Sequence, residues 1–381
     1  MVYCDHNATA PLRPEAREAM ERALSLTGNP SSVHAGGRAA RALVEEAREA
    51  VAHLAQAKSQ SVIFTSGATE ANGLALWGAI LGAMDAGQPI GRLLVSAIEH
   101  KSVLKTAEAI AERHGSVALE MAPVTADGVV DTKALARSLQ EGEGRVLVAV
   151  MAANNETGVI QPIAEVSRLC REKGALLLVD GVTAAGKIAL DAQSCDYLSL
   201  SGHKLGAPQG VGALIVSETA PLVPQLVGGG QEKGLRAGTE NLSGIAGFGA
   251  AAKRVLQSDD ERAHLAELRD GFERLLKEVL PQAVIVGEKA SRLPNTSNIA
   301  LPGLSAENML IGLDLDGVMV SSGSSCSSGK IAHSHVLTAM GLSDLSSIRV
   351  SFGWNSGKQD AGAVVASLVN LFRRACPRAA A

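Results

Sequence analysis

Two charged residues close successive apolar runs in the middle of the chain. Asp180 ends ALLLVD, and Lys204 ends YLSLSGHK 204 − 180 = 24 residues later. A lysine amine condenses with the aldehyde of pyridoxal phosphate, and a carboxylate against the pyridine nitrogen keeps that nitrogen protonated so that the ring draws electrons. The pair alone also fits a strand-end salt bridge with a solvated lysine. Upstream, Ser66-Gly67-Ala68-Thr69-Glu70 follows an apolar run and opens a helical pattern. Its backbone N–H groups and the Thr69 hydroxyl can hold a phosphate, or simply cap the helix. His100, closing RLLVSAIEH, can stack on a ring, move a proton, or serve as an ordinary structural histidine. Asn155 in ANNETG can hydrogen-bond its own turn.

Cys326 stands in SSGSSCSSG, whose Ser and Gly content predicts a mobile surface loop. Free cysteine is usually buried, so a cysteine in such a loop is poorly explained by packing and is a candidate thiolate nucleophile; an adventitious surface cysteine is the alternative. Cys4, Cys170, Cys195 and Cys376 lie in or beside apolar runs and read as structural. The run Gly228-Gly229-Gly230-Gln231-Glu232-Lys233-Gly234 matches neither a dinucleotide nor a Walker pattern. Its continuation, Leu235 to Asn241, offers a cation and a hydroxyl suited to a phosphate, or is a flexible solvated loop.

The elements that must position these residues alternate. SVIFTSG, RLLVSAIEH, RVLVAVMAANN, ALLLVDG, CDYLSLSGHK and VGALIVS read as buried strands. Helical patterns cover Pro14 to Leu26, Ser32 to Ala57, Thr69 to Ala86, Ser102 to His114, Thr132 to Gln140 and Ile163 to Lys173. This is the signature of an α/β fold, a mainly parallel sheet between helices, which binds ligands at the carboxyl ends of its strands. The polar clusters fall at five such ends. After about Ser258 the texture changes to an amphipathic helix, Asp259 to Val279, then short strands around 284–286, 297–301 and 318–321, and a last helix, Gln359 to Arg374.

The 381 residues suffice for two domains. Aromatics make up only 2%, so Ala, Val and Leu must fill the core, and stacking-based recognition is excluded. A net charge of −4 without charge runs argues against nucleic acid. Five scattered cysteines without CxxC spacing argue against a disulfide framework or a cysteine-only zinc site, and point to a reducing compartment. The amino terminus lacks a signal-peptide pattern and the longest apolar runs are too short to span a bilayer, so the expectation is a cytoplasmic protein without membrane contact.

Taken in order, GNPSSVHAGG, FTSGATEANGLAL, EHKSV, NNETGVIQPI, LVDGVTAAGKI, LSLSGHKLGAPQGVGAL, LRAGTEN, SSGSSCSSG and SIRVSFG resemble the cysteine desulfurases of the NifS/IscS class, over nearly the whole chain. The resemblance implies a fold-type-I pyridoxal-phosphate homodimer. A large domain over residues 14–258 would carry a seven-stranded sheet. A small α+β domain from 1–13 and 259–381 would hold the cysteine loop near 321–333. It implies that Lys204 forms the Schiff base, that Asp180 partners the pyridine nitrogen, and that His100 stacks on the ring. Thr69, Ser201, His203 and the Ala68 backbone match phosphate binders, and Thr239 matches the residue that reaches the neighbouring subunit's phosphate. Asn155 and Arg349 match groups beside the substrate, and Cys326 matches the nucleophile that becomes a persulfide.

The sequence departs from the family at Thr183, where glutamine usually donates to the cofactor's phenolic oxygen, and locally at His6 and Trp354. The implied activity releases alanine from L-cysteine and leaves sulfur on Cys326 for an acceptor or iron–sulfur scaffold protein. No resident metal is implied, although Cys326 can ligate a cluster transiently. Selenocysteine is an expected second substrate. The rival readings are a pyridoxal-phosphate aminotransferase or lyase without persulfide chemistry, and a non-enzymatic sulfur carrier. The pathway served is open among nitrogenase maturation, general iron–sulfur assembly, and thiolated tRNA or cofactor synthesis.

Overall fold

The computed structural model describes residues 1–322 and 333–375, so Cys326 and Cys376 lie outside the described residues. The chain enters through β1 (Val2–Tyr3). The main sheet is then laid down by β2 (Val62–Thr65), β3 (Ile90–Ser96), β4 (Ala118–Ala122), β5 (Arg145–Ala149), β6 (Leu176–Asp180), β7 (Tyr197–Ser201) and β8 (Gly212–Val216), in the spatial order β2-β8-β7-β6-β5-β3-β4. From β7 through β6, β5 and β3 to β4 all pairings are parallel. Successive residues face opposite cores, as the period-two geometry of strands requires. Phe64, Val148 and Leu177 join the core containing Val44, Val51 and Phe248, whereas Ile63, Leu147 and Leu178 join the one containing Leu74, Ile80 and Tyr197.

VGALIVS, expected as a buried strand of the mainly parallel sheet, forms β8, antiparallel to both β7 and β2. The connection from Gly202 to Val211 is too short for the crossover that a parallel neighbour demands, so the chain reverses. β4 gave no apolar run because it lies at the edge, where only Ala122 is buried and Glu120 interrupts the run to pair with Arg92 of β3 at 2.6 and 2.8 Å. The helix Leu242–Leu256 was not expected either, since Gly244, Gly247 and Gly249 each lower helix propensity by about 1 kcal/mol. Tertiary packing explains the third of them: a Cβ on Gly249 would stand 2.5 Å from the Ala47 Cα of the Ala35–Leu54 helix.

A further core gathers Leu268, Phe272 and Leu276 of the helix Asp259–Val279, Leu368 and Phe372 of the helix Lys358–Ala375, and residues of a three-stranded antiparallel sheet. That sheet comprises β9 (Val284–Ile285), β10 (Thr296–Ala300) and, beyond β11 (Val318–Met319), β12 (Ser347–Ser351), in the order β12-β10-β9. β1 pairs parallel with β11, and Cys4 is fully buried in this core, so the first residues of the chain are tied to its last third.

Candidate active site

At the carboxyl ends of the parallel strands lies a cavity of about 630 Å³ lined by Ala68, Thr69, His100, Asn155, Asp180, Thr183, Ser201, His203, Lys204 and Arg349. Asp180, last residue of the fully buried β6, is fixed from two sides. Its Oδ2 accepts from Asn72 Nδ2 at 2.9 Å and its Oδ1 from the Val182 N–H at 3.0 Å. Asn72 also donates to Ser102 Oγ at 2.9 Å. Behind this network Glu99 is wholly buried. Its Oε1 accepts from the Met151 N–H at 2.5 Å and its Oε2 has no partner among the described residues. Burial, reinforced by the Asp180 charge, raises the Glu99 carboxyl well above the usual range.

His100 caps the helix Lys101–Arg113, its Nδ1 accepting from the Ser102 N–H at 3.1 Å. That bond leaves the proton of the neutral ring on Nε2. The surrounding protein, opposed by Asp180 and aided by Lys204, pushes His100 below the ordinary imidazole range. The helix Ala68–Asp85 starts at Gly67 with no side-chain cap, which leaves its first N–H groups for an anion, beside Thr69, Ser201 and His203. Gly212 permits this arrangement, because a Cβ there would stand 2.7 Å from the Gly67 backbone. Burial, with Lys204 and Lys187 nearby, lowers His203 to about 4, which leaves it a neutral ring at pH 7.

Lys204 ends the turn Gly202–Lys204, and its Nζ donates to the carbonyls of Asn7 at 2.5 Å and Ala8 at 2.7 Å. Burial, then Arg349, lowers its pKa to about 8, with Asp5 and Asp180 acting in the opposite direction. Across the cavity Arg349 is buried, donating through Nη1 to the Asn155 carbonyl at 2.9 Å and through Nη2 to Asp5 Oδ1 at 2.6 Å, while its Nε has no partner among the described residues. The donor set fits pyridoxal phosphate. An uncapped helix start with hydroxyls suits its phosphate, a fixed carboxylate its ring nitrogen, and a lysine of depressed pKa its aldehyde.

Residues 2–364 match the family model of the class-V aminotransferases. The chain belongs to the class-V aminotransferase family. Within this family it is 40% identical over 366 residues to a protein of Dictyoglomus turgidum named cysteine desulfurase IscS, covering 94% of this chain and 91% of that one. Its fold superposes on a NifS-like protein of Rickettsia africae with a TM-score of 0.87 at 33% identity, covering 98% and 99% of the two chains. A solved structure described as SspA in complex with cysteine aligns at 28% identity with a TM-score of 0.80, covering 93% and 99%.

This class-V chain also shows what sequence reasoning missed. Lys187, the lysine of LVDGVTAAGKI, is a second amine near the site. Burial and the charges of Lys204 and Arg349 lower it to about 7. It donates to the Thr183 carbonyl at 2.8 Å and does not line the cavity. Asp5 and Asn7 gave no signal, because nothing in the first ten residues shows that they meet Lys204 and Arg349.

The glycine-rich segment is not a free solvated loop. Glu232 is buried and receives both Nη atoms of Arg48, at 2.7 and 2.9 Å, together with the Phe64 N–H at 3.0 Å. Removing one partner of such a pair costs about 3–5 kcal/mol, enough to hold Glu232 and Lys233 at φ 44° and 59°. Arg236 pairs with Glu70 at 2.8 Å, and Glu70 accepts the Ser66 N–H at 2.8 Å. Thr239 is exposed and lines a neighbouring hollow of about 120 Å³, which shares Ser66 and Gly210 with the cavity but is the one of the two that Thr239 lines.

His6 stays local, with Nε2 bonded to Asn355 Oδ1 at 2.9 Å, and so does Trp354, whose Nε1 donates to the Pro11 carbonyl at 3.0 Å. Among the described residues, no group of three or more metal-ligating side chains is gathered and no helix is long and apolar enough to cross a membrane.

Proposed function

We propose that the protein is a pyridoxal-phosphate-dependent cysteine desulfurase that takes sulfur onto Cys326. The observation that carries the reading is the meeting of Lys204, Asp180 and Arg349 on one cavity, each held by partners that suit its task. When bound, pyridoxal phosphate supplies an electron sink for charge developing at the substrate's α-carbon. Asp180 holds a carboxylate against the ring nitrogen, and the helix start at Ala68 with Thr69, Ser201 and His203 holds the phosphate. Arg349 receives the substrate carboxylate, and Lys204, depressed to about 8, takes the α-proton at its Nζ. His100, neutral at pH 7, covers the ring without adding charge.

The Cys326 thiolate attacks the substrate sulfur. A new S–S bond forms as the Cβ–S bond breaks, the electron pair stays with carbon, and the carbon takes a proton and leaves as alanine. The persulfide passes to a thiol, an acceptor protein or an iron–sulfur scaffold. The same proposal includes a homodimer in which Thr239 completes the partner's phosphate site, and a division into a large domain over 14–258 and a small one from both chain ends. Free, buried Cys4 and Cys170 suit a cytoplasmic, reducing setting.

The test is product analysis on the purified protein supplied with cysteine and an excess of a dithiol reductant, which releases the persulfide sulfur as sulfide. Alanine and sulfide in equal amounts from the native chain, and neither from Cys326→Ser, are expected; an amino-group transfer product would instead favour an aminotransferase. Mixed inactive Lys204→Ala and Thr239→Ala subunits should regain activity by placing both defects in one site. Verified hybrids that stay inactive would rule out the shared site.

A further inference from the structure

Asn7 and Ala8, within the amino-terminal segment Asp5–Ala8, line the cavity, and the proposed function leaves this segment without a task. Asn7 is buried and fixed on three sides. Its Nδ2 donates to Thr296 Oγ1 at 2.8 Å, its Oδ1 accepts from Asn295 Nδ2 at 3.1 Å, and its N–H donates to Ser351 Oγ at 3.0 Å. This packing, and not Lys204, sets where the Asn7 and Ala8 carbonyls lie. Both nonetheless meet Lys204 Nζ, at 2.5 and 2.7 Å, while Asp5 in the same segment takes one arm of Arg349. Fixed carbonyl oxygens and a nearby carboxylate favour an ammonium over a neutral amine.

We propose that Asp5–Ala8 is a receiving station for the Lys204 ammonium, with the Asn7 and Ala8 carbonyls as its acceptors and Asp5 as the positioning residue that ties it to Arg349. The inference rests on the reading of Lys204 as the residue that anchors the cofactor and moves the substrate proton. In that reading the amine is freed in each turnover and becomes an ammonium once it has taken the α-proton. A free lysine side chain carries about 2 kcal/mol of rotamer freedom, and two pre-set acceptors confine it where the proton must be returned. Asp5 and Asp180 face the ammonium favourably and Arg349 opposes it; Lys187, lowered to about 7, opposes it when charged, and His203, lowered to about 4, is neutral at pH 7 and adds no charge. A substrate carboxylate arriving at Arg349 adds negative charge beside Asp5, so substrate binding and retention of the ammonium support each other.

The test uses the full-length chain prepared without cofactor and reads acylation of each lysine by acetic anhydride at neutral pH, by peptide mass spectrometry. Exposed Lys58 is the internal reference. Asp5→Asn keeps the shape and removes the charge. Lys204 acylation relative to Lys58 should rise about threefold, since losing a nearby carboxylate shifts the amine towards its neutral form. Asn7→Ala, which unpins the carbonyls, should move the ratio the same way, and Asp5→Glu should leave it near the native value. If Asn7→Ala does not fold, the two Asp5 variants decide.

An unchanged ratio in Asp5→Asn overturns the station. Borohydride trapping of the cofactor-loaded variants, run in parallel, separates the two failures. Label on Lys204 with an unchanged ratio refutes the station alone, whereas label on another lysine refutes the reading of Lys204 and the station with it.

Discussion

Asp180 ends a strand buried along its whole length and takes its hydrogen bonds from Asn72 and Val182, which flank the same sheet. Arg349, on the opposite wall, sits in the middle of β12 and reaches Asp5 and Asn155, 344 and 194 residues away in sequence. The first wall follows from parallel-sheet topology, which delivers strand ends to one edge whatever the loops do. The second exists because the first residues run beside β12, through the Asp5–Ser351 bridge and the backbone bonds of Ser351 with Cys4 and His6. On the proposed function, the sheet edge would be a rigid frame for the cofactor and the joined chain ends would supply the contacts that select a substrate. Cofactor chemistry and substrate choice should be separable by mutation.

Lys204→Ala strikes the sheet-edge wall and should have the largest effect, a loss of turnover of about a thousandfold or more, with no cofactor retained after borohydride reduction. Covalent cofactor surviving in that variant would move the anchor elsewhere, with Lys187 the first residue to map. Arg349→Ala strikes the other wall. The KM for cysteine should rise about tenfold or more while Lys204 still takes the borohydride label, because a lost charge-assisted hydrogen bond is worth about 1.5–3 kcal/mol. A lost label in Arg349→Ala would show that the two walls are not separable.

Thr183→Gln should give the smallest change. A donor that favours the deprotonated form of the cofactor lowers the pH midpoint of its visible absorbance, by about 1–2 units at most, and leaves alkylation of Cys326 unaltered. A midpoint that stays or rises would mean that the Thr183 hydroxyl, or a water it holds, already serves the phenolic oxygen.

The difference between the walls also explains what the sequence disclosed. The helices Ile163–Lys173 and Asp259–Val279 were legible to the residue because each carries an apolar stripe at helical period. Asp180, His100 and Lys204 stood out because each follows a run of buried strand residues. The reversed direction of β8 is a matter of connection length, the helix Leu242–Leu256 hides behind glycines that serve close packing, and the edge strand β4 has no continuous apolar face. Asp5 and Asn7 act through partners hundreds of residues away, and Glu232 through a buried arginine on another helix. Residue type and spacing carry no trace of such pairings, so only the folded chain reveals them.

The central claim is that sulfur leaves cysteine and arrives on Cys326, and one measurement addresses it directly. The purified, cofactor-loaded protein is given cysteine without reductant, quenched by alkylation, digested, and each cysteine peptide is weighed. The account predicts the Cys326 peptide heavier by one sulfur atom than in a control without substrate, with the Cys4, Cys170 and Cys195 peptides unchanged. Alanine formed while the Cys326 peptide keeps its original mass, or the extra sulfur found on another cysteine, would contradict it.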